Sequence, residues 1–75
     1  MAKFYWTTDG LEKIKQSKIT SMKIGKKVNR CDDTGKPMIE YLVIPIINGK
    51  EHDKAIADGM LSEKEAHAWI NQNFK

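Results

Sequence analysis

The chemistry most visible in this sequence is cationic. Lys13, Lys15, Lys18, Lys23, Lys26, Lys27 and Arg30 fall within residues 13–30, and no acidic residue stands among them. Such a run raises the local potential and attracts an anionic partner, although a solvated, solubilising face has the same composition. Residues 1–36 hold nine cations and four anions, giving +5, and residues 37–75 hold four cations and six anions, giving −2. Arginine occurs once against twelve lysines. The guanidinium fork reads bases and structured phosphates bidentately, whereas lysine is a flexible point charge. Nucleic-acid binding by this segment would therefore show weak sequence specificity and strong salt dependence.

Catalytic chemistry finds little support. A metal site needs three or four converging ligands. The candidates Cys31, Asp32, Asp33, His52, Asp53 and His67 include no cysteine pair, and the two histidines are fifteen residues apart. Cys31 stands beside Arg30, which favours a thiolate, but Asp32 and Asp33 oppose it. Asp33-Thr34-Gly35 repeats the triplet of aspartic proteases. Those enzymes need two such aspartates facing each other in an apolar setting, and here polar and charged residues flank the triplet, as in a hairpin turn. Gly25-Lys26 and Gly35-Lys36 lack both the earlier glycine and the following Ser or Thr of a P-loop. The sequence thus predicts no catalytic residue, no cofactor, no metal and no enzyme.

The elements that must carry the lysines can be read from periodicity. Phe4-Tyr5-Trp6 is aromatic and favours a strand at the sheet edge. Phe4 and Trp6 share one face of it and Tyr5 takes the other. One face is expected to join the core with Trp69 and Phe74. An exposed Tyr5 flanked by Lys3 would stack on a base or anchor a protein partner, which makes it a candidate contact. Asp9-Gly10 either caps a short helix over residues 10–18 or turns into a second strand; the good helix formers there favour the helix. Met22, Ile24 and Val28 alternate with Lys23 and Lys27, as in a half-buried strand, and Gly25 marks a bulge or a close approach of backbone.

After a turn at Asp33-Thr34-Gly35, residues 38–47 form the strongest strand signal and would pair antiparallel with residues 20–30. Pro45 lacks an N–H, which places a sheet edge or bulge near it. Residues 50–58 read equally as a helix capped by Asn48 or as a short edge strand after an Asn48-Gly49 turn. The clearest element is the last. Ser62-x-x-Glu65 is a capping box with Leu61 positioned as a staple, and Ala66, Trp69, Ile70 and Phe74 make one apolar stripe, so a helix is expected over residues 63–73. His67 lies off that stripe and is expected to face solvent.

The fold expected is α+β. It comprises a small antiparallel sheet of two to three strands, with a fourth short edge strand left open, and a C-terminal helix packed on one face. A short N-terminal helix completes it. Seventy-five residues make one domain, 1–75, with a thin core; dimerisation through exposed strand edges is one way to enlarge it. The longest strongly apolar run, residues 41–47, is too short to span a membrane, no signal peptide is present, and a single cysteine fits a reducing, cytoplasmic setting. These features fit a small non-catalytic protein-binding module: an inhibitor, adaptor or accessory factor of the kind phages and mobile elements direct at host complexes. Its lysine-rich segment would hold an acidic protein surface, with Tyr5 and the hairpin 28–38 among the contacts. The alternative is a weakly specific nucleic-acid-binding protein using the same lysines.

Overall fold

The computed structural model describes residues 3–31 and 33–74, and the side chains of Asn29, Arg30 and Cys31 lie outside that description. The chain is α+β. In order it forms β1 (Phe4–Trp6), β2 (Lys13–Lys15), a single 3-10 turn (Gln16–Lys18), β3 (Ile19–Cys31), β4 (Pro37–Ile47), β5 (Lys50–Glu51), β6 (Ala57–Met60) and α1 (Glu63–Asn73). The sheet is larger than the sequence suggests. β1 and β2 pair as a separate two-stranded sheet, and β3, β4, β5 and β6 form a four-stranded one, all antiparallel.

The 3–4 hairpin dominates. Ile24 opposes Val43, Lys26 opposes Tyr41, and Val28 opposes Ile39. Opposed residues share a face, so Met22, Ile24, Lys26 and Val28 lie on the side of Pro45, Val43, Tyr41 and Ile39. Val43 and Pro45 are fully buried there. Ile56, Met60 and Ala66 join Val43 in the core, with Trp69 and Ile70 packed against it. The helix begins level with Lys26, whose Nζ stands 4.0 Å from Glu63 Oε1. It ends beside β1, where the Tyr5 hydroxyl and Lys3 Nζ both donate to the Asn73 carbonyl. Further along the hairpin, Val28, Met38 and Ile39 are exposed. The radius of gyration is 13.2 Å and the long axis 46 Å, against ~11 Å expected for a compact chain of this length.

Local chemistry explains the joints. Asn48 and Gly49 both have positive φ, 53° and 78°, as a two-residue type I′ turn requires. That turn resolves the 50–58 ambiguity toward strands. A Cβ on Gly25 would stand 2.9 Å from Ile44 Cδ1, so the close neighbour is a side-chain methyl and not backbone, and the ladder has no bulge at Gly25. Pro45 lies where β4 changes partner from β6 to β5. Its carbonyl accepts from the His52 N–H at 2.9 Å, so its nitrogen faces the same side, away from β3, and no bond of the β3–β4 ladder is lost. In α1, Ser62 Oγ accepts from the Glu65 N–H, as the capping box predicts, while the Glu65 carboxylate takes the N–H of Leu61. Leu61 itself is exposed, so the expected staple to Ala66 does not form.

Two expectations fail here. Residues 10–18 do not form a helix. The stretch 7–12 is a hairpin loop, and Lys13–Lys15 is strand, because Ile14 must sit opposite Tyr5 to reach the core. β1 also does not join the edge of the large sheet; it pairs only with β2. No helix among the described residues is long and apolar enough to cross a membrane.

Candidate binding surface

The basic segment is divided by the fold. Lys23, Lys26 and Lys27 stand on β3, and each meets acid from the second half of the chain. Lys23 pairs with Glu51, Lys26 with Glu63, and Lys27 with Glu40 at 3.6 Å and Asp58 at 3.8 Å. Lys26 Nζ also lies 5.7 Å from the Tyr41 ring centre. The positive first half is thus partly neutralised by the negative second half. Arg30 lies in β3, with its side chain outside the described residues.

Lys13, Lys15 and Lys18 are placed differently. Lys13 and Lys15 flank Ile14 on β2, and Lys18 ends the 3-10 turn. Among the described residues none of the three forms an ion pair. Lys15 opposes Phe4 and Lys13 opposes Trp6, so two lysines and two aromatic rings share the outer face of the small hairpin. Phe4 is 43% exposed and Trp6 57%. Lys13 Nζ lies 4.3 Å from the Phe4 ring centre and 5.7 Å from that of Trp6, so it draws on both ring faces.

Tyr5 is the opposite of the expected contact. It is buried, with its ring 6.0 Å from that of Trp69, and it anchors the hairpin to α1. The aromatic contacts available to a partner are Phe4 and Trp6. Strand period puts either Tyr5 or this pair outward, and the Trp69 stripe decides which.

A network fixes the platform against the large sheet. The buried Thr7 donates its N–H to the Glu12 carbonyl at 3.0 Å, and its hydroxyl accepts from the Glu12 N–H at 3.1 Å and donates to Asp9 Oδ1 at 2.6 Å. Thr8 N–H reaches the Ala55 carbonyl at 2.9 Å. Asp9 Oδ2 meets Lys54 Nζ at 2.8 Å. That lysine, then the Thr7 hydroxyl and the Leu11 N–H, hold the Asp9 carboxyl well below its ordinary value, while Asp9 raises Lys54. Lys54 N–H donates to His52 Nδ1, and His52 Nε2 meets Glu12 Oε1 at 3.0 Å. Phe4, Lys13, Lys15, Lys18, Glu12 and His52 line a shallow groove beside this contact.

Among the described residues, no three His, Cys, Asp or Glu side chains gather as metal ligands would. His67 is exposed, as expected, and Gly35 has φ of +81°, as a turn at Asp33-Thr34-Gly35 requires. Asp32 lies outside the described residues. No protein-family model, curated protein or solved structure matches this chain.

Proposed function

We propose that the chain is a small non-catalytic binding module, an inhibitor, adaptor or accessory factor, that holds an anionic macromolecule on the outer face of β1 and β2. One observation carries this reading: two exposed aromatic rings and two lysines that form no ion pair among the described residues share that face, and Lys18 extends it. Leaving Phe4 and Trp6 in water forgoes burial on the order of 1.5–3 kcal/mol for a ring the size of Phe. A partner that covers them recovers that term and meets the lysines together. The lysines of β3 contribute less, because an arriving anion must displace carboxylates already beside them.

A second reading, a protein contact on the long hairpin away from that face, rests on a separate observation. Val28 is 71% exposed and Ile39 50%, and they form a cross-strand apolar pair on that hairpin, the kind of surface that a protein contact covers.

The test is retention on immobilised heparin, a polyanion, along a salt gradient. Reversal of Lys13, Lys15 and Lys18 to Glu should lower the eluting salt far more than reversal of Lys23, Lys26 and Lys27, although the net charge change is equal. Equal losses, or a larger loss from the β3 set, would refute the placement of the site.

A further inference from the structure

We infer that the ligand of the β1–β2 face is single-stranded nucleic acid, an inference that rests on the reading of this face as an anion-binding site. Phe4 and Trp6 stand at alternate positions of one strand, about 7 Å apart along it, and both project from the same side. Rings arranged so on an open sheet surface accept successive unstacked bases, because every base offers a π-face. Duplex DNA keeps its bases stacked inside and cannot use them.

The charges are placed to match. Lys13 lies between the rings and Lys15 opposes Phe4, while Lys18 continues the line along the groove. Phosphates linking two stacked bases would pass within reach of these ammonium groups. The Lys13 ammonium must leave the Phe4 face for a base to stack there. Its flexible stem allows that, and a phosphate replaces the ring as its partner. Glu12 is the one carboxylate in the groove, and it is turned toward His52. Ile14 and Ile47 also line the groove beside Phe4, but Phe4 and Trp6 themselves stay 43% and 57% exposed, whereas the energetic centres of protein interfaces are anchors sunk in well-packed pockets. With lysine in place of the arginine fork, discrimination among sequences should be slight.

The experiment uses the full chain and three labelled probes: a 20-nucleotide oligo-dT, a 20-base-pair duplex and a 20-residue polyglutamate. Fluorescence anisotropy gives affinity across salt, and quenching of tryptophan emission reports stacking. Oligo-dT should bind more tightly than either other probe. Its log–log salt slope should be about −2, from three lysines at ~0.7 each. Trp6→Ala should weaken binding roughly fivefold to 150-fold, the range for loss of one stacked base, while Trp6→Phe restores most of it. Trp6 is exposed, so an unchanged thermal melt will show that Trp6→Ala still folds. Polyglutamate binding that exceeds oligo-dT binding and is lost in the Lys13/Lys15/Lys18 reversal would overturn the nucleic-acid inference and leave the anion-binding site standing. Duplex binding equal to oligo-dT binding, with no quenching, would also overturn it. Failure of every probe at low salt would overturn both.

Discussion

Two sets of three lysines, Lys13, Lys15 and Lys18 at the small hairpin and Lys23, Lys26 and Lys27 on β3, are treated in opposite ways at the two ends of the molecule. On the long hairpin the lysines meet carboxylates and the exposed groups are aliphatic, Val28 and Ile39. On the small hairpin Lys13, Lys15 and Lys18 form no ion pairs among the described residues, and the exposed apolar groups are Phe4 and Trp6 on its outer face with Leu11 in its loop. Lysine count alone would rank the two sets as equal. What separates them is where the opposite charge of the same chain arrives: Glu40, Glu51, Asp58 and Glu63 all come to β3. The contrast also extends to anchoring. The small hairpin is held by Tyr5, Thr8 and Asp9, whereas Val28, Met38 and Ile39 towards the tip of the long one are exposed.

The largest effect expected is on that anchor. Tyr5→Ala removes a buried ring from Trp69 and a hydroxyl bond from the Asn73 carbonyl, and should cost about 3–5 kcal/mol. Ile39→Ala, at the exposed tip, should change stability by no more than about 0.5 kcal/mol. Urea unfolding of both variants checks this; equal losses would erase the distinction between an anchored and an exposed end. Next in size is ligand affinity. Reversal of Lys13, Lys15 and Lys18 to Glu should reduce oligo-dT binding by a factor on the order of 100, since specific ionic contacts are replaced by repulsion, and should leave the melt intact. Reversal of Lys23, Lys26 and Lys27 should cost markedly less.

A smaller effect concerns pH. The Asp9 carboxyl is held below its ordinary 3.8 and Lys54 above its ordinary 10.5. The depressed carboxyl stabilises the fold above pH 3.8 and loses that contribution as the pH falls further. The raised ammonium stabilises it below pH 10.5 and loses that contribution as the pH rises further. Between those limits the clasp is whole. Asp9→Asn should therefore melt below the parent at pH 7, with the gap closing as the pH falls below 3.8; a gap independent of pH would dismiss the ion pair. The smallest effect is in the β3 pairs. A double-mutant cycle on Lys23 and Glu51, both about half exposed, should give about 0.2–1 kcal/mol, weakening with salt.

Elements set by local chemistry were legible in the sequence. The capping box and apolar stripe place α1 over residues 63–73, where it is found. β3 follows from alternation and β4 from its continuous apolar run, and Asn48-Gly49 sets the turn after them. What was not legible depends on contacts distant in the chain. Residues 11–18 are good helix formers, yet Ile14 is drawn into a three-residue strand because Tyr5 and the core lie beside it. The face of β1 that is buried depends on Trp69, more than sixty residues away. The lysine run reads as one patch because its carboxylate partners lie on β4, β5, β6 and α1, which only the fold brings near.

The central claim is that the small hairpin, and not the basic long one, is the binding surface. A titration of the ¹⁵N-labelled chain with 20-nucleotide oligo-dT, followed by amide chemical shifts, tests it most directly. The account predicts shifts concentrated at residues 4–6 and 13–18, with residues 23–28 little changed. Shifts concentrated along β3 and β4, or none at low salt, would contradict it.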